Sequence, residues 1–404
     1  MKKSLVFMIV CGFLSGLSAE TIQRSNVSLR EGAGAFFPVV KILNKGDDVS
    51  VQQSGELWIQ VSTSDQKSGW VSAMAFESGA ASIDYGVMAD DWTDRKASKT
   101  MVNAAVKGFF ENQFEREGIL NKSVMDQPVR RTFNPQDYLI FRENTYHTRW
   151  SPKRFRRKYR LKQNKGFVID ETLFAVSAYT AGRLTAPGLI RDTRLTAYVN
   201  QIAQLIVENT EFYDLPVTVH IADTDEIYAN ALPIGVIVIS KGMLKQIDSE
   251  HELACLIGHE IAHVTLGHGE TEMGKRKVKF RAEDAFGELD EAFGTDTKEM
   301  DALADEMYER AIKGRKEEYE AEADVQGAIY AYRAGYEPDG MLSLMRKLET
   351  KIPRNPDPDD IRHWFPYSFR NRLKHLSGFI AKELKTNEHY VKNENRYRMI
   401  TAGL

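Results

Sequence analysis

Apolar residues recur along this chain with two different periods. Between residues 22 and 78 they come in short alternating runs: Val39-Val40-Lys41-Ile42-Leu43, Val49-Ser50-Val51, Trp58-Ile59-Gln60-Val61 and Trp70-Val71. Turn-forming clusters separate these runs, at Gly32-Ala33-Gly34, Lys45-Gly46-Asp47, Ser54-Gly55 and Lys67-Ser68-Gly69. Short strands at this spacing predict a small all-β barrel. From residue 166 the period lengthens. A helix is predicted after Asp192, with Leu195, Val199, Ile202 and Ile206 on one side. Val217 to Ile221 and Ile234 to Ile239 read as strands, the second rich in β-branched residues, and helices then dominate to the C-terminus. Residues 80–165 join the two parts, with a helix expected over Lys96 to Phe114. The fold class is therefore α+β: a mainly helical domain over 166–404 with a small sheet, preceded by an all-β barrel.

Residues 1–19 read as a signal peptide. Lys2 and Lys3 precede an apolar run from Leu5 to Leu14, and small residues lead to a cut after Ala19. The run is shorter than the ~20 residues of a membrane-spanning helix, and no other segment is long and apolar enough. An exported chain, periplasmic or secreted in a bacterial envelope, is expected. Hydrophobic residues make up 42% and charged residues 27%, ordinary for a globular protein. Loss of Lys2 and Lys3 takes the net charge from −3 to −5, which implies no special partner, and export argues against a nucleic-acid partner. A basic stretch over 149–165 and an acidic one over 283–309 read as solvated or mutually pairing surfaces. The cysteines are Cys11 and Cys255, so cleavage leaves one and excludes an intrachain disulfide.

The chemistry centres on one helix. Ser249-Glu250-His251-Glu252 has the spacing of a capping box, in which Ser249 caps the helix and Glu252 reaches back to the Ser249 amide. Leu253, Leu256, Ile257, Ile261 and Val264 supply a buried stripe, and Gly267 is a natural stop. Within it, His259 and His263 lie one turn apart on one face, and Glu260 is adjacent to His259. This H-E-x-x-H pattern fits two neutral imidazoles on one zinc ion, with Glu260 as general base. The third ligand must come from elsewhere, and Glu317 to Asp324 is the candidate stretch. Glu320 and Asp324 share a helix face there. Asp324 can accept from the far nitrogen of a ligand histidine. Spacing alone does not choose Glu320 over Glu318 or Glu322. His251 and His268 read as surface or packing residues.

Several blocks taken together resemble the HtpX/BepA-type zinc metallopeptidases, metallopeptidase family 48 of the gluzincin type. They are Asn230-Ala231-Leu232-Pro233-Ile234-Gly235, Gly242-Met243-Leu244, Leu253 to His263, Glu320-Ala321-Glu322-Ala323-Asp324, and Arg333-Ala334-Gly335-Tyr336-Glu337-Pro338. The likeness covers roughly residues 190–350. It implies a zincin-type fold, one zinc ion per chain, Glu320 as the third ligand, and protein or peptide substrates. It also implies that Asn230 and Ala231 help hold the substrate backbone. Family members often carry Ser-x-His-Pro before an arginine; this chain has His363-Trp364-Phe365-Pro366 followed by Arg370 and Arg372. The resemblance extends a substrate or transition-state role to His363 and Arg372. The N-terminal unit resembles bacterial SH3-like (SH3b) modules, through Val27 to Gly34, Lys45-Gly46-Asp47 and Gly69-Trp70-Val71. That implies a cell-wall or protein ligand.

The expected activity is exported zinc metalloendopeptidase, with an extended peptide adding to an edge strand at Ile234 to Ile239. The competing expectations are a cell-wall peptide hydrolase, suggested by the SH3-like module, and a binding protein or chaperone in which zinc is structural.

Overall fold

The computed structural model describes residues 18–77, 83–84, 120–130, 132–145, 167–169, 171–272, 316–351 and 369–404. The helix expected at Lys96 to Phe114, the basic and acidic stretches, His363, and the expected leader up to residue 17 lie outside them.

The N-terminal unit is a six-stranded sheet. Its strands are β1 (Ser18–Thr21), β2 (Val27–Arg30), β3 (Val39–Leu43), β4 (Asp48–Ser54), β5 (Trp58–Thr63) and β6 (Ser68–Ser72). Their order is β1-β4-β5-β6-β2-β3, with every pair antiparallel. Alternation places Leu29, Leu43, Val49, Val61 and Val71 together with Ile22 in one small core. The cut expected after Ala19 falls inside β1, whose four residues are all exposed.

This unit is fastened to the helical domain. Phe36 enters the main core, with its ring 4.6 Å from that of Tyr138. At a second point the Tyr213 hydroxyl meets Ser72 Oγ at 2.8 Å and donates to Leu57 O at 2.9 Å. Trp58 packs edge-on against the Tyr213 ring.

Beyond the sheet come the paired short strands β7 (Ile83–Asp84) and β8 (Phe167–Val168), and helices α1 (Lys122–Asp126), α2 (Pro135–Thr145) and α3 (Glu171–Leu184). Helix α4 (Thr193–Val207) starts where Asp192 accepts from Arg194 N and Leu195 N, and its predicted apolar face is buried. A three-stranded sheet follows, of β9 (Thr218–Ala222), β10 (Ala229–Leu232) and β11 (Val236–Ser240). Helix α5 (Lys241–Leu244) leads into α6 (Glu250–Thr265). The remainder is α7 (Glu317–Arg333), α8 (Gly340–Glu349), α9 (Phe369–Glu383) and α10 (Glu394–Thr401). Among the described residues no helix is long and apolar enough to cross a membrane.

The sheet order, β10-β11-β9, corrects one expectation. The β-branched run is the central strand β11, buried throughout, and the edge beside the helices is β10. The two edges differ. Along β9 the Asn200 side chain donates to Val219 O at 2.9 Å and accepts from Val219 N at 2.8 Å. Ile190 N donates to Ile221 O, and Leu189 bridges Ala222. That edge is sealed by the protein's own groups. Strand β10 carries Asn230 and Ala231 and packs against α6.

Helix α6 is also held at its start, in a way that differs from the expected capping box. Ser249 makes no side-chain cap; its hydroxyl lies 2.7 Å from His251 Nδ1. Glu252 accepts from Asp248 N, one residue further back, and from Lys347 and Ser343. The neighbouring histidine draws off the serine, and the glutamate satisfies the next free donor. Glu250, fully buried, accepts from Tyr198, Tyr336 and Asn393 and pairs with Arg396. The C-terminal helix α10 is thereby anchored on the first turn of α6.

Candidate metal centre

The two histidines sit on a helix with no solvent face, since all 16 residues of α6 are buried. Their Nε2 atoms converge to 3.1 Å. Helix α7 crosses α6 where Gly258 and Gly327 meet backbone to backbone. A Cβ on Gly327 would lie 2.5 Å from His259 N, and one on Gly258 would lie 2.7 Å from Gly327 O. Only glycine at both positions lets the helices approach this closely.

The close crossing brings short acidic side chains to the histidines. Glu320 places its two carboxylate oxygens 3.5 Å from His259 Nε2 and 3.5 Å from His263 Nε2. Asp324, one turn on, is 3.0 Å from His259 Nδ1. Glu318 is exposed, and Glu322 approaches His268 instead. Among the described residues His259, His263 and Glu320 are the group able to hold a metal ion, with ligand atoms within 4.8 Å of one another.

Two features fit a divalent cation. A tetrahedral ion with bonds of ~2.05 Å separates its ligand atoms by about 3.3 Å, and the spacings here are 3.1, 3.5 and 3.5 Å. The charge balance agrees. Among the described residues, Glu260 (5% exposed), Asp324 and the largely buried Glu320 set three carboxylates against one guanidinium, that of Arg372. Two negative charges remain, and buried charge of one sign is costly unless compensated. The titration behaviour reflects the same demand. Burial opposes charge on His259, yet Asp324 and Glu320 outweigh it and raise the imidazole to about 10. Burial would raise Asp324 too, but Arg372 and His259 hold it at about 2, and the same neighbours lower Glu320.

Arg372 is committed to these carboxylates. It donates from Nε and Nη2 to the two oxygens of Asp324, at 2.8 and 2.7 Å, and its Nη1 lies 3.2 Å from Glu320. A bidentate guanidinium matches a carboxylate in this way, so Arg372 is placed to hold Asp324 and Glu320. Asn230 and Ala231 lie on β10 beside α6. His268, expected at a surface or in packing, is 3% exposed and 2.8 Å from His263 Nδ1. Its signal is its place just beyond Gly267, where a chain reversal returns it to the helix end. Gly327 gives no signal that spacing could read.

Residues 193–380 match the sequence profile of peptidase family M48. The helical part of this chain is a peptidase family M48 domain. The M48 region runs from the start of α4 into α9, so it contains all the residues that converge on the metal centre, Arg372 included. Residues 25–76 match the bacterial SH3 domain. Among curated proteins the chain is 26% identical over 231 residues to the beta-barrel assembly-enhancing protease of Escherichia coli (strain K12), covering 55% of this chain and 47% of that protein. It is 28% identical over 218 residues to the Yersinia pestis protein of the same name, covering 52% and 45%. It is 26% identical over 213 residues to the human mitochondrial metalloendopeptidase OMA1, covering 49% and 39%. The chain thus spans about half the length, or less, of these relatives.

Proposed function

We propose that this M48 chain is a zinc-dependent metalloendopeptidase, exported to the bacterial envelope, that cleaves proteins there. The observation that carries the reading is the convergence of His259 Nε2, His263 Nε2 and the Glu320 carboxylate beside the buried Glu260. His259, His263 and Glu320 would hold zinc. Bound there, zinc supplies an acidified water and polarises the scissile carbonyl. Glu260 takes the proton from the attacking water and returns it to the leaving amine, as base and then acid. Asp324, 3.0 Å from His259 Nδ1, would keep Nε2 turned to the centre, and Arg372 holds Asp324 and Glu320 in place.

Substrate binding is assigned to β10. The β9 edge is closed by Asn200, so an extended peptide joins the sheet on the β10 side, along Asn230 and Ala231. Main-chain hydrogen bonds of this kind tolerate many sequences. The SH3 domain, anchored at Tyr138 and Tyr213, would hold a protein or cell-wall ligand at a fixed place relative to the cleft.

Cleavage of an unfolded protein such as casein, lost on chelation and restored by zinc, is the expected result. Zinc-loaded protein that leaves casein intact contradicts it. The SH3 domain favours cell-wall peptides as a second reading, and release of peptides from peptidoglycan with casein untouched would select it.

A further inference from the structure

His268 lies just past the end of α6, yet it faces back into the metal centre. Gly267 has φ +66°, a left-handed conformation that glycine adopts without penalty. Leu266 N and Gly267 N close the helix on Ala262 O and Val264 O. The reversal brings His268 Nδ1 to 2.8 Å from His263 Nδ1. The other nitrogen, His268 Nε2, is 3.3 Å from a Glu322 carboxylate oxygen. Tyr319 stacks flat on the His268 ring, 4.4 Å away and tilted by 8°.

With both rings neutral, these contacts fit one arrangement of protons. A neutral imidazole carries hydrogen on one nitrogen and a lone pair on the other. The Glu322 carboxylate only accepts, so His268 Nε2 bears the hydrogen and His268 Nδ1 offers a lone pair. That lone pair takes the hydrogen of His263 Nδ1. His263 Nε2 is then the lone-pair nitrogen, and it is the atom 3.1 Å from His259 Nε2 and 3.5 Å from Glu320.

We propose that His268, pinned by Glu322, is a positioning residue that fixes the tautomer and rotation of His263 for zinc. The inference rests on the zinc reading above. The two ligand histidines are then oriented by different means. His259 leans on the Asp324 carboxylate, whose charge Arg372 balances. His263 leans on a neutral ring, which places no further carboxylate against a site already carrying excess negative charge.

Two variants of the full chain separate this role from mere packing. His268→Phe keeps a ring for Tyr319 to stack on and removes the acceptor. His268→Asn sets an amide oxygen close to the position of Nδ1 and restores it. Zinc affinity is read by competition with a chromogenic chelator, ligand geometry by the visible spectrum of the cobalt(II)-loaded protein, and folding by melting of the metal-free protein. His268→Phe is expected to bind zinc about 10–100-fold more weakly and to shift the cobalt bands, with metal-free melting near that of wild type. His268→Asn is expected to recover most of the affinity and the wild-type bands. Equal affinity in wild type and His268→Phe overturns the proposal while leaving the zinc reading intact, as does equal loss in the Phe and Asn variants. A wild-type protein that takes up no zinc overturns both.

Discussion

Replacing Gly327 by alanine tests whether the glycine crossing sets the metal geometry. The added methyl would lie 2.5 Å from His259 N, 2.7 Å from His259 Cα and 2.8 Å from Gly258 C. These are backbone atoms of a buried helix, so no side chain can rotate away. Ordinary contact needs about 3.5 Å, so α7 must retreat by about 1 Å. Asp324 lies less than one turn from Gly327, and Glu320 about two turns, ~10 Å along the axis. The Asp324–His259 contact, now 3.0 Å, would open to about 4 Å, past hydrogen-bonding range. A ligand displaced by ~1 Å far exceeds the ~0.2 Å tolerance of a metal site. The expected outcome is a loss of about 1–3 kcal/mol in stability and a zinc affinity lower by at least about tenfold. Denaturant melts of the metal-free protein and chelator competition measure the two separately. Wild-type affinity in Gly327→Ala would refute the argument that the crossing positions Glu320 and Asp324.

Other outcomes follow from the same contacts. Gly378 in α9 is exposed, and a methyl added there would meet nothing within 4 Å, so Gly378→Ala should raise stability by about 0.5–1 kcal/mol in denaturant melts and leave zinc affinity unchanged. Arg372→Met strands Asp324 and Glu320 without their guanidinium, and should cost about 3–5 kcal/mol in the metal-free protein, with part recovered on adding zinc. His220, buried and donating to Pro128 O at 2.6 Å, is pushed down by burial to about 4 from 6.5. The unfolded chain therefore binds the extra proton between those values, and stability should fall by on the order of 3 kcal/mol as pH drops from 6.5 toward 4. His220→Gln should flatten that slope in melts taken across the window.

The metal helix is readable because its determinants are local. Two histidines at one-turn spacing, an apolar stripe and a terminal glycine all lie within twenty residues. The Asp192 cap of α4 is legible for the same reason. Strand β10 is not, because Ala229, Asn230 and Ala231 have little strand preference and are held extended by pairing with β11. The expectation of an edge at β11 fails, although an unbroken run of Val and Ile is the mark of a strand covered on both faces. The proposed third ligand lies beyond spacing altogether. Glu318, Glu320 and Glu322 are equivalent acids until α7 is placed on α6, and that placement depends on Gly327, which reads in isolation as a weak point in a helix. Arg372 and His268 are likewise defined by what the fold brings to them.

In the proposed site Glu260 moves the proton, and His259, His263 and Glu320 hold the zinc ion. Glu260→Gln changes one atom of a residue outside the proposed ligand set, so zinc content and peptide cleavage can be measured on the same purified variant. The expected result is one zinc per chain with cleavage reduced by about 10²–10⁴-fold. Cleavage at the wild-type rate with zinc still bound would contradict it.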